Sequence, residues 1–313
     1  MADQEIACLD HIVAMTGTDR QLPRDDEIFL DHVGHFVRDP QAAAAALMRA
    51  GFAPTPQSVQ VAPDGGPTGT GNVCAMLPRG YIEVLFKTAD TPLGREFEAS
   101  LARYSGLQLA AFAVADAEAW HRRLGEAGFR TRPIARFQRP VGTAAGAAIA
   151  AFTVARVEPG EMAEGRIQML THHTEDAVWQ PRWLRHPNGA AGLSSLAVVV
   201  ADVDEAARRY ARFTQRAAFR TRAGQALPLD RGRIDLVSRA AFTAALPEIV
   251  IPALPFMAGY GVTVKSRDAV EAMLRGNGLA CRRAGDVLVA AFPAELGRGA
   301  WLFSESDRAA LFD

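Results

Sequence analysis

The chain has 313 residues, 49% of them hydrophobic, and a formal net charge of −1. That length suggests about two domains with a sizeable core, and the near-zero charge gives no electrostatic motive for binding nucleic acid or an anionic membrane. Cys8, Cys74 and Cys281 form no CxxC pair, so neither a disulfide framework nor a structural zinc site is indicated. The N-terminus lacks the basic start and apolar core of a signal peptide, and no apolar run reaches bilayer length. A cytoplasmic protein is therefore expected. The arginines are dispersed along the chain and read mainly as solvated helix faces.

Residues 1–27 form an N-terminal extension, with His11 in a Leu-Asp-His triplet that no helix cap follows. The first strand is predicted from Phe29 to Val37, then a helix from Pro40 to about Ala50 closed by Gly51. Asp39 is placed to cap this helix, and Pro40 suits its first turn. A glycine turn at Gly80 opens the strand Tyr81–Phe86, and a joining helix is expected near Pro92–Tyr104. The same order returns three times. Strands at Leu107–Val114, Leu193–Val200 and Gly259–Val264 each lead into a helix capped by Asp116, Asp202 or Ser266. Each copy then ends on a strand after a glycine turn, at Gly165, Gly232 and Gly297. The chain thus reads as four βαβββ modules of an α+β fold. An open sheet of this size cannot bury its own face, so the modules should pair. The expected organisation is a first pair over 28–175, a connecting segment over 176–192, and a second pair over 193–313.

Three stretches carry a resemblance. Leu30-Asp-His-Val-Gly-His-Phe-Val-Arg-Asp39, Gly69-Thr-Gly-Asn72 and Gly80-Tyr-Ile-Glu83 resemble the vicinal-oxygen-chelate superfamily and its glyoxalase-like domain proteins. The resemblance implies two half-open barrels of the glyoxalase, bleomycin-resistance and extradiol-dioxygenase type. It also implies a divalent metal (Zn, Mn, Ni, Co or Fe) held by the first and last strands of paired modules, and possible homodimers. The ligand positions fall on His32 and Glu83 in module one, and on Leu109 and Gln168 in module two. In modules three and four they fall on Ser195, Asp235, Gly259 and Ala300, so the second barrel is expected to be degenerate. His172 shares a strand face with Gln168 and is a second ligand candidate.

Each candidate has a plainer alternative. His32 could be a satisfied core histidine, Glu83 half of a structural ion pair, and Gln168 a backbone hydrogen bonder. His35 lies on the face opposite His32 and reads as structural. The segment Thr171–Gly192 is rich in polar and aromatic residues. Trp179, Trp183, His186 and Asn188 could wall the cavity and bind substrate, or pack as a linker. Asn72 is expected to face substrate; its glycine-rich surroundings lack the lysine of a P-loop. The reading that follows is a metal-assisted lyase or isomerase acting on a small oxygenated molecule, with Glu83 moving a proton. A metal-free binding protein of the bleomycin-resistance type and a dioxygenase are the alternatives.

Overall fold

The computed structural model describes residues 20–62 and 64–313; most of the N-terminal extension, including His11, lies outside them. Module one comprises β1 (Phe29–Phe36), α1 (Pro40–Arg49), β2 (Ser58–Val61), β3 (Pro67–Met76) and β4 (Tyr81–Lys87). The joining helix α2 (Pro92–Arg103) leads to module two: β5 (Gly106–Ala113), α3 (Ala117–Glu126), β6 (Ala135–Thr143), β7 (Gly146–Arg156) and β8 (Arg166–His172). A short helix, α4 (Glu175–Val178), begins the connecting segment. Module three is β9 (Ala190–Val200), α5 (Val203–Thr214), β10 (Phe219–Arg220), β11 (Gly224–Pro228) and β12 (Arg233–Ser238). A second joining helix, α6 (Arg239–Ala245), had no counterpart in the sequence reading. Module four is β13 (Phe256–Val264), α7 (Arg267–Gly276), β14 (Cys281–Ala284), β15 (Val287–Ala291) and β16 (Ala300–Ser304). Among the described residues no helix is long and apolar enough to cross a membrane.

The predicted helix caps are all made. Asp39, Asp116, Asp202 and Ser266 each accept a hydrogen bond from a first-turn backbone N–H. Gly278, rather than Gly276, takes the left-handed conformation after α7, with φ 73°. In both halves the module's first strand pairs in parallel with its last, and the two first strands pair antiparallel with each other. The outcome differs at the seam. In the first half β2 meets β6 through Val61 and Gln138, closing an eight-stranded barrel. In the second half the edge strands β10 and β14 stay apart and the sheet remains open.

Side-chain alternation divides the strands between two environments. One face of both sheets, with α1, α3, α5 and α7, forms a single continuous core that includes Val33, Trp120, Tyr210, Tyr260 and Trp301. His35 lies on that face, as expected, and is fully buried. Its Nδ1 donates to the Leu296 carbonyl at 2.8 Å. Its Nε2 accepts from the Tyr260 hydroxyl at 3.0 Å, and that hydroxyl in turn accepts from the Trp301 indole at 2.7 Å. The opposite faces have separate fates. In the second sheet Phe242 and Leu246 of α6 and its loop, with Phe312, fill the concave face against Ala197, Val199, Ala258 and Ala300. Asp235 is held by Arg233, which also reaches Asp313. The second half thus fills this face with apolar packing and closes Asp235 into an ion-pair network.

In the first barrel Phe97 and Leu101 of α2 pack inside against Phe36, Leu85, Leu109 and Leu170. Val178 and Trp179 pack against Cys74, Met76 and Tyr81. A cavity is left between these two apolar groups. The turn that sets the start of β4 is at Gly80, where φ is 80° and a Cβ would sit 2.5 Å from the Asp31 carbonyl oxygen. Gly80→Ala is expected to cost about 2 kcal/mol in denaturant unfolding, since strain and clash combine. Gly65→Ala shares the positive φ but meets open space, so it should cost less. Equal losses would show that the contact with Asp31 does not matter.

Candidate active site

The site draws on all eight strands of the first barrel. β1 carries an irregularity between Leu30 and His32 in its pairing with β5. Such a bulge re-aims side chains. Here it allows Asp31 Oδ2 to accept from Nδ1 of the neighbouring His32 at 2.6 Å. The other carboxylate oxygen lies 3.1 Å from His172 Nε2, on β8. Asp31 is fully buried. Burial opposes its charge, but His172 and His32 outweigh it and hold the carboxyl well below the usual carboxylate range. The parallel register sets His32 beside Tyr81, and the two rings stack at 4.3 Å. With Nδ1 spent on Asp31, His32 presents Nε2 to the cavity, 3.7 Å from Glu83 Oε2.

Glu83 is fixed by β3. Asn72 Nδ2 donates to Glu83 Oε1 at 2.7 Å, and Asn72 Oδ1 accepts from Arg139 of β6 at 3.2 Å. Burial raises the Tyr81 hydroxyl well above its ordinary value, reinforced by Asp31 and Glu83, so the phenol stays protonated. His32, Asn72, Tyr81, Glu83 and Gln168 line one cavity of about 60 Å³, room for a few waters or one small ligand group.

The remaining predicted residues fall elsewhere. His172 is not among the cavity-lining residues; its Nε2 faces Asp31, and among the described residues its buried Nδ1 has no partner. Trp179 packs on His172 at 4.6 Å and on Tyr81 at 6.0 Å, behind the cavity wall. Trp183 is half-buried beside that cluster, with Arg182 over its ring at 5.0 Å. His186 accepts from the Ala53 N–H and donates to the Met76 carbonyl. Asn188 donates to the Ala50 carbonyl and accepts from the Ala190 N–H. These two pin the end of α1 to the connecting segment and do not reach the cavity.

Three charged cavity residues escaped the sequence reading. Arg139, Arg156 and Arg166 line the same space and stand on strands, not on solvated helix faces. The signal was available. Alternation forward from Gln168 reaches His172; alternation backward reaches Arg166.

The donors fall short of a resident divalent metal. His32 and Glu83 supply two, and Gln168 a neutral amide, where catalytic metals usually take three firm protein ligands. The fourth family position is Leu109. Among the described residues no group of three His, Cys, Asp or Glu side chains is placed to hold an ion. Three guanidinium groups in the same lining disfavour a cation further.

This architecture is that of the vicinal-oxygen-chelate fold. The chain belongs to the glyoxalase-like domain family, whose model matches residues 30–214. No curated relative matches it in sequence. Among solved structures it is similar to a hypothetical protein from Staphylococcus aureus (TM-score 0.62, 9% identity, 88% of this chain and 99% of that one). It is also similar to a mutant 4-hydroxymandelate synthase from Streptomyces coelicolor (TM-score 0.55, 13% identity, 91% and 94%). A third is a xylose isomerase-like TIM barrel/4-hydroxyphenylpyruvate dioxygenase fusion protein (TM-score 0.54, 11% identity, 93% and 51%). These likenesses concern the fold.

Proposed function

We propose that the first barrel is the active site of an acid–base enzyme of the lyase or isomerase type, acting on a small oxygenated molecule. The observation that carries this reading is the Asp31–His32 pair facing Glu83 across the cavity. Asp31 holds the imidazole with Nδ1 protonated, which leaves Nε2 as a base. His32 takes a proton from a carbon next to a carbonyl, and the electron pair passes into the enolate. Protonation at a neighbouring atom, by His32 or by Glu83 once protonated, completes an isomerisation without any oxidant. Asn72 and Arg139 keep Glu83 in place, and the two apolar groups at the barrel ends limit water.

The test uses protein purified without chelator, incubated in D₂O with small carbonyl compounds and hydroxy compounds, charged and neutral. NMR should show C–H exchange with at least one of them. His32→Ala should lower its rate by about 10²- to 10⁴-fold, the usual share of a general base. Absence of exchange across the panel, or exchange indifferent to His32→Ala, would sink the reading. A stoichiometric metal by elemental analysis, lost in His32→Ala and in Glu83→Ala, would replace it with the metal-dependent one.

A further inference from the structure

Two of the three arginines are held by no carboxylate at hydrogen-bond distance, although Glu83 and Glu96 lie near enough to act on Arg166 through charge. Arg139 is linked to Glu83 through Asn72. Arg156 pairs with Gln168 across β7 and β8, and Arg166 with Leu109 across β8 and β5, which places both at one wall of the barrel. Among the described residues neither guanidinium has a hydrogen bond or an ion pair, and Arg156 Nε is wholly buried without an acceptor. Each lies instead over an aromatic ring, Arg156 at 5.5 Å from Phe137 and Arg166 at 5.2 Å from Phe36. The nearby Glu96 is already taken by a two-point contact with Arg132, at 2.7 and 2.9 Å.

Unmet buried donors are costly, and an uncompensated charge more so. Burial first, then repulsion from Arg166 and Arg132, pushes Arg156 down to about 10, which still leaves it charged at neutral pH. The same two arginines also line a second cavity of about 350 Å³, bounded by α2 and the loop between β7 and β8. The pair therefore stands between the His32 chamber and a larger outer chamber.

We propose that Arg156 and Arg166 form a carboxylate-binding fork, making the barrel's ligand a small organic carboxylate. A planar guanidinium matches a carboxylate at two points, and a pair of them in a confined site supplies charge and orientation together. Leu85, Leu93, Leu109 and Phe152 share the inner cavity and suit a short carbon chain, which an inorganic oxyanion lacks. Glu83 in that cavity weighs against a highly charged anion. The fork rests on the acid–base reading only for which end of the ligand faces His32.

Binding separates the two ideas, because it needs no turnover. Propionate, propionamide and sulfate are titrated at equal ionic strength and followed by NMR shift and by Tm. Propionate should saturate and raise Tm in the wild type and in His32→Ala, while propionamide and sulfate should not. Arg156→Met and Arg166→Met should each weaken propionate binding about tenfold or more, the size of a lost charged hydrogen bond. Their unliganded Tm should stay at or above that of wild type, since an unpaired charge is removed. If either fails to fold, Arg156→Lys or Arg166→Lys keeps the charge, loses the two-point contact, and should bind less tightly. Equal binding by wild type and these variants, or equal responses to propionamide or sulfate, overturns the fork. Propionate binding with no C–H exchange sinks the acid–base reading alone; exchange without discrimination for propionate sinks the fork alone.

Discussion

Asp31→Asn is expected to lose about 3 kcal/mol of stability and to slow C–H exchange by about 10²- to 10⁴-fold. Asp31 is fully buried and serves two imidazoles at once, His32 at 2.6 Å and His172 at 3.1 Å. An amide of the same shape has one accepting oxygen and an NH₂ that donates. It can serve one histidine and must turn a donor toward the other. Breaking one side of a buried charged network leaves its partners unmet, which is why the stability cost is large. The kinetic loss has a separate cause: without Asp31, His32 no longer keeps its proton on Nδ1, so Nε2 is not reserved as the base. Nitrogen NMR of His32 distinguishes the two effects. A merely structural role for Asp31 would leave the Nδ1-protonated signature of His32 in place. Survival of that signature, or unchanged exchange, would remove Asp31 from the mechanism.

Stability should also fall by about 3 kcal/mol on account of His35 alone as the pH drops from 6.5 to about 4. Burial pushes the His35 imidazole down to about 4, partly countered by its bond to the Leu296 carbonyl. The sign follows from linkage. The folded state refuses a proton that the unfolded chain accepts at the ordinary value of 6.5, so unfolding gains as pH falls through that window. Below about 4 both states are protonated and the loss levels off. The hydrogen-bond chain gives the same answer in structural terms. His35 Nε2 accepts from Tyr260, and Tyr260 accepts from Trp301, so a second ring proton would face a donor. This chain ties β1 to β13 and β16, so the seam between the two sheets should loosen first. Asp31 acts in a different window: its depressed pKa favours the folded state above the ordinary carboxylate value, and that contribution is lost below it. The measurement is denaturant unfolding across this range for wild type and His35→Gln. Their difference isolates His35 from every other titrating group. Parallel pH profiles would contradict the prediction.

Much of the fold was legible because it rests on local chemistry repeated four times. A polar cap after an apolar strand starts a helix, and a glycine in the left-handed region turns the chain into the last strand. Asp39, Asp116, Asp202 and Ser266 made the helices findable. Gly80, Gly165, Gly232 and Gly297, all at positive φ, marked the last strands. The period-two pattern of β1 put His32 and His35 on opposite faces, and they are so placed. The joining helix α6 escaped because its sequence, Arg239–Ala245, lacks a strong periodic signal.

Side-chain partnerships across the barrel were not legible. His172 shares a face with Gln168, yet in the fold its Nε2 is met by Asp31 of β1 and not by the cavity. His186 and Asn188 sit in a segment rich in binding-type residues, and the fold spends them on backbone groups of α1 and its surroundings. The arginines are the sharpest case. Scattered along the sequence they look solvated, but closure between β2 and β6 brings Arg139 into the ring and sets it beside Asn72 and Glu83. The four modules, their caps and turns, and the inward facing of His32 and Glu83 follow from local pattern alone, because strand alternation and capping act within a few residues. Tertiary structure decided that one pair closes around a charged cavity while the other fills with apolar side chains. That difference depends on contacts between residues far apart in the chain, which no local pattern encodes.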